Sequence, residues 1–234
     1  MKFFFPLLLL LMNSNIFAKV VLYSAAGLYE PMQKIVLEFE KTENSSVEVF
    51  YAGSGELFGR LGFGAECDVF VPASKKYLID AANTKLINKT TIIDIIEHYP
   101  VLVVSKNTEK ILNFEDIIKS NVRIAIGDPK STAIGVVSKK ILNNNRLSIK
   151  PVVLSPTVNQ LIIYVSLGSV DGVIVWRELT QNKNNLRIIE IPNNQSELIA
   201  TAIATKSKNV LMAKKLNKFI GSKKAKRIFR DYGF

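Results

Sequence analysis

The sequence predicts an α/β protein of two lobes, each a mostly parallel sheet flanked by helices, with the lobes joined by two crossover strands. Three observations lead there. Short β-branched runs alternate with longer amphipathic stretches along the chain after residue 18, the rhythm of parallel sheets covered by helices on both faces. Turns of small, hydroxylated or glycine residues stand where runs give way to stretches. A chain of 234 residues is long enough for one large α/β domain or two lobes of about 100 residues, each able to bury a core.

The N-terminal 18 residues read as a secretory signal: Lys2, the apolar run 3–12, then a polar stretch ending at Ala18 before Lys19. A bilayer-spanning helix needs about 20 apolar residues, roughly twice this run. A cleaved signal, a periplasmic location and a mature protein that does not span the membrane are expected. Ile16 is bulky for its place before the cut, and no Cys stands nearby to carry a lipid anchor.

Strands are expected at 20–23, 47–51, 69–71, 101–104, 122–126, 151–154, 173–176 and 199–204, where β-branched and aromatic residues concentrate. Helices are expected at 28–41, 55–62, 75–82, 133–143, 157–167 and 210–220, where apolar residues recur at helical spacing. Segments 99–105 and 197–204 each connect blocks of different character and are taken as hinge strands. Lobe 1 then comprises 19–98 plus 205–234, and lobe 2 comprises 106–196. In open α/β sheets a ligand sits beyond the carboxyl ends of the strands, here in the cleft between lobes.

Composition narrows the function. The net charge of +11 rests on lysine clusters at 139–140 and 214–226. They read as solvated helix faces without a recognition motif or interleaved aromatics, so no nucleic-acid partner is expected. Cys67 is the only cysteine, which rules out an internal disulfide and, ahead of an apolar strand, reads as an inert core thiol. His98 is the only histidine, lacks the companions a metal site or nucleophilic centre needs, and reads as a surface or hinge residue. Asp68 has no carboxylate partner in Glu66 or Asp80 and reads as packing at a strand start. Gly53-Ser54-Gly55 is followed by Gly59 one position too late for a dinucleotide fingerprint. No catalytic residue, metal cation or cofactor is expected.

The informative chemistry is in the turns: Ser24-Ala25-Ala26-Gly27, Ala52-Gly53-Ser54-Gly55, Gly127-Asp128-Pro129 with Ser131-Thr132-Ala133-Ile134-Gly135, and Ser155-Pro156-Thr157-Val158. A helix N-terminus offers unpaired backbone N–H groups and the positive end of its dipole, an anion site that needs no charged side chain. Each turn alone is an ordinary helix start. Four after strand patterns point to a shell of neutral donors suited to a fully ionised tetrahedral oxyanion, whose oxygens only accept.

Those turns, together with Met32-Gln33-Lys34-Ile35, Asp68-Val69-Phe70, Gly172-Val173-Ile174-Val175-Trp176 and the terminal Ile228-Phe229-Arg230-Asp231-Tyr232-Gly233-Phe234, resemble in order and spacing the periplasmic molybdate- and tungstate-binding protein family. The resemblance implies the two-lobed periplasmic binding protein fold, molybdate or tungstate as ligand, an ABC importer permease as partner and a monomeric state. By position it implies oxyanion contacts at Gly27, Ser54, Ile134, Val158 and Trp176. The chain departs from the family pattern twice: Gly27 stands where a serine is usual, leaving Ser24 or Ser131 to replace the hydroxyl, and Trp176 stands where a tyrosine is usual. These departures keep a second ligand class open, a phosphorylated or carboxylated small metabolite with a surface-antigen or adhesive role. An enzyme on this fold is the third reading and has the least support in the residues.

Overall fold

The computed structural model describes residues 19–234, and the proposed signal at 1–18 lies outside the described residues. Apolar runs buried on both faces build the strands. β1 (Lys19–Ala25) is exposed only at Lys19, as a central strand with helices above and below requires. It pairs in parallel with β2 (Ser46–Ala52) and β3 (Val69–Val71). Two further strands complete the first sheet, β4 (Ile93–His98) and, late in the chain, β10 (Glu197–Ile203), in the order β2-β1-β3-β10-β4. β10 runs antiparallel to both of its neighbours.

The second sheet repeats this plan. β6 (Ile124–Gly127) lies parallel between β7 (Val153–Ser155) and β8 (Gly172–Trp176), and β5 (Pro100–Ser105) pairs antiparallel with β8 and with β9 (Leu186–Ile189). The order is β7-β6-β8-β5-β9. Each sheet is therefore mixed: three adjacent strands are parallel, one strand (β10 in the first sheet, β5 in the second) runs the other way, and the edge strand beyond it (β4 or β9) runs with the parallel set. The two segments read as hinge strands each belong to one sheet, β5 to the second and β10 to the first. The chain passes between sheets at Tyr99 and along 190–196.

Helices cover the faces. α1 (Tyr29–Glu43), α2 (Ser54–Gly62) and α3 (Lys76–Asn83) serve the first sheet, together with α6 (Val210–Ile220) and α7 (Lys223–Asp231); α4 (Ala133–Asn144) and α5 (Val158–Ser166) serve the second. Hydroxyl and amide caps fix the starts of four of them: Thr132, Thr157, Asn209 and Ser222 each accept an N–H from the first turn of the helix they precede. Asn44 ends α1 in the left-handed conformation that asparagine tolerates. Among the described residues no helix is long and apolar enough to cross a membrane. Three elements were given no range of their own from the sequence: β4, β9 and α7.

Asp68 meets its expected structural role. Its buried carboxylate accepts from Val21 N at 2.8 Å, Ser207 Oγ at 2.6 Å and Lys208 N at 3.1 Å, tying the segment after β10 to β1. A buried polar side chain is tolerated when it is hydrogen-bonded this fully. Cys67 is buried, and burial pushes its thiol far above the ordinary range, which leaves no thiolate to react.

Candidate ligand-binding site

Four turns meet between the two sheets. From the first sheet come a 3-10 turn (Ala26–Leu28) after β1 and the start of α2 after β2; from the second come the start of α4 after β6 and the start of α5 after β7. They enclose a pocket of about 20 Å³ whose lining includes Gly27, Ser54, Ile134, Val158 and Trp176, and no lining side chain is charged. A space of this size admits a guest of only a few atoms. Of the six residues named from the sequence, Ser24 is not in the lining: it is fully buried, and its Oγ has no partner. Ser131 is also outside the lining and faces the first lobe through its carbonyl, which accepts from Gly55 N at 2.8 Å and Glu56 N at 3.2 Å.

The donors can be followed one by one. The first turn of a helix leaves N–H groups without intrahelical partners. In α4, Gly135 N goes to Thr132 Oγ1 at 3.0 Å, so the amides of Ala133 and Ile134 stay free to face the pocket. The Thr132 hydroxyl donates to Asp128 O at 2.9 Å and is thereby used up. In α5, Gln160 N goes to Thr157 Oγ1 at 3.4 Å, which leaves the Val158 amide. In α2, Ser131 O takes Gly55 and Glu56, which leaves the Ser54 amide. Ser54 Oγ accepts from Ala73 N at 3.0 Å, so its own O–H is free to donate.

The two departures from the family pattern lie close to one another. Trp176 is 1% exposed at the end of β8, opposite Pro100. A Cβ on Gly27 would come within 3.1 Å of Val158 Cγ1 and 3.8 Å of Trp176 Cδ1. The tight approach is to Val158, while the indole edge lies at ordinary contact distance from the space a side chain at position 27 would claim.

His98 is not on the surface, contrary to one of the two expectations for it. It is 2% exposed, with Nε2 2.8 Å from Ala73 O and Nδ1 3.0 Å from Glu178 Oε1. Its partners come from distant parts of the chain, and no local pattern announces them. A second hollow of about 470 Å³ shares Ala26 and Gly27 with the small pocket and extends between the start of α1, α5 and the C-terminal residues. Its lining includes Glu30, Glu178, Lys183 and Asp231, so the larger space is charged where the smaller is not.

Comparison with known proteins shows the family and the fold. A "Putative binding protein" of Haemophilus influenzae is 30% identical over 224 residues, 93% of this chain and 91% of that protein. The solved substrate binding domain of a putative molybdenum ABC transporter from Clostridium difficile is 27% identical with a TM-score of 0.68, covering 92% of this chain and 97% of that one. The periplasmic molybdate-binding protein of Azotobacter vinelandii shares the fold at a TM-score of 0.77 and 17% identity, covering 92% of this chain and 97% of that one. The profile of the bacterial extracellular solute-binding proteins matches residues 20–234, and the chain belongs to that family.

Proposed function

We propose that this protein binds a small, fully ionised tetrahedral oxyanion, molybdate or tungstate first, in the pocket between its lobes and delivers it to the permease of an ABC importer. The observation that carries this reading is the uncharged lining, built from the starts of α2, α4 and α5 together with Ser54 and Trp176. An ion without protons needs only donors, and donors fixed by secondary structure require little reorganisation when it arrives. The lobes then move about the connections at Tyr99 and 190–196, and the protein performs no chemistry on its guest. The relatives named for molybdenum and molybdate support the choice of ion.

Calorimetry with molybdate, tungstate, sulfate and phosphate tests the assignment. Heat with the first two and little with phosphate is expected, whereas flat traces for molybdate and tungstate remove them as ligands.

The 470 Å³ hollow beside Gly27 favours a second reading, in which a phosphate or carboxylate group occupies the small pocket and an organic body extends beyond it. Native mass spectrometry of the purified protein distinguishes the two through the mass it retains: an inorganic ion or an organic anion.

A further inference from the structure

The chain has one histidine and one tryptophan, and they stack face to face across the junction of the lobes. His98 ends β4 in the first sheet; Trp176 ends β8 in the second. Their ring centroids are 3.7 Å apart at an interplanar angle of 21°. Both imidazole nitrogens are engaged. Nε2 faces the Ala73 carbonyl at 2.8 Å, and a carbonyl only accepts, so Nε2 carries a hydrogen. Nδ1 faces Glu178 Oε1 at 3.0 Å with both side chains almost wholly buried, 0% and 3% exposed. A bond between these two atoms places one proton between them.

These contacts converge on the pocket by two routes. Glu178 lies in the 3-10 turn Arg177–Thr180, directly after Trp176, so one short segment of the second lobe presents an indole to the face of the imidazole and a carboxylate to its edge. On the other side, Ala73 receives His98 through its carbonyl and donates its N–H to Ser54 Oγ at 3.0 Å. Ala73, Ser54 and Trp176 all line the small pocket, and His98 does not.

We infer that His98 is the positioning residue of the pocket: sharing a proton with Glu178, it holds the Trp176 indole by stacking and the Ser54 hydroxyl through Ala73, so that both side-chain donors are aimed before the anion arrives. The stack fixes the plane of the imidazole, and flipping the ring within that plane would break both hydrogen bonds, which leaves it a single orientation. The inference deepens the oxyanion reading and rests on it.

The mature protein with its lone histidine and lone tryptophan permits a direct test. With 15N-histidine labelling, a single pair of ring nitrogens is expected with Nε2 protonated, and molybdate should shift it. A bare Nε2 overturns the proposal. Trp176 emission should rise in His98→Gln, which removes the stacked ring, and unchanged emission also counts against the proposal. In calorimetry with molybdate and tungstate, His98→Phe and Glu178→Gln are each expected to weaken binding about tenfold or more, the loss typical when the groups behind a binding shell are removed. His98→Gln, whose amide can still donate to Ala73 O, should recover part of that loss. Equal affinity in all three variants defeats the role of His98 while leaving the oxyanion reading intact. Failure of the unmodified protein to bind any oxyanion defeats that reading, and the nitrogen spectrum still decides whether His98 is oriented as described. Should the Phe variant not fold, Glu178→Gln and the spectrum of the unmodified protein carry the decision.

Discussion

At the scale of single residues, the proposed role of Ser54 rests on how its hydroxyl is already bonded. Its oxygen is already committed to Ala73 N at 3.0 Å, so the proton has one remaining task. Ser54→Ala should weaken oxyanion binding by about 1 kcal/mol or more, and should also lower thermal stability because it leaves the buried Ala73 N–H without its acceptor; an unchanged affinity in calorimetry would remove the hydroxyl from the site. Gly27 and Val158 make a close pair. Gly27→Ser alone pushes a side chain to within 3.1 Å of Val158 Cγ1 and should lower affinity, whereas Gly27→Ser combined with Val158→Ala should regain much of it. Additive losses in this double-mutant cycle would show that the two positions do not communicate. Both departures from the family pattern, Gly27 and Trp176, were legible in the sequence, because each falls within a turn or strand end whose spacing marks it. The burial of His98 was not, since its meaning depends on Glu178, 80 positions away, and on a ring from the other sheet.

At the scale of elements, reading succeeded where a segment's own residues specify its structure. The starts of α4 and α5 were visible in Thr132 and Thr157, which cap them. α7 was given no range of its own because only Ala225, Ile228 and Phe229 face the core in a run dominated by lysine and arginine, although its lysines were read as a solvated helix face. β4 and β9 escaped notice because polar and charged residues interrupt both, and pairing with β10 and β5 completes them. The link between β6 and β8 has a pH signature. Asp171, just before β8, accepts from Arg123 N at 2.7 Å and pairs with the Arg123 guanidinium and, at 3.0 Å, with Lys110. Burial alone would raise its carboxyl, but the hydrogen bonds from Arg123 and Lys110 outweigh this and bring it down to about 2. With the folded value below the unfolded one, this contribution to stability is complete above the ordinary 3.8 and is lost as pH falls towards about 2. Asp171→Asn should therefore be less stable than the parent at neutral pH, with the difference shrinking through that acid window; a constant difference in denaturant midpoints would contradict the pairing.

At the scale of the whole molecule, the lobes touch through backbone as well as through the stack of His98 on Trp176. Ser131 O receives two amides of α2, and Asn159 Nδ2 donates to Ala26 O at 3.1 Å. A Cβ on Gly55 would lie 2.6 Å from Lys130 O, so Gly55→Ala should keep the lobes from approaching this closely while alanine favours α2 itself. Lower oxyanion affinity, with no compaction by small-angle scattering when the ion is added, is the expected result; normal affinity and compaction would show that the approach at Gly55 is not needed. The two-lobed plan was legible because strand and helix patterns alternate along the chain. The direction of the returning strands was not, since it is set by where the chain crosses between sheets. The central claim is that one uncharged pocket between the lobes holds a doubly charged ion. A crystal structure of the protein with tungstate, located by its anomalous scattering, tests it most directly: the account predicts a single strong peak within hydrogen-bonding reach of the Ser54 hydroxyl and the amides of Ile134 and Val158, and a peak elsewhere, or no peak at saturating tungstate, would contradict it.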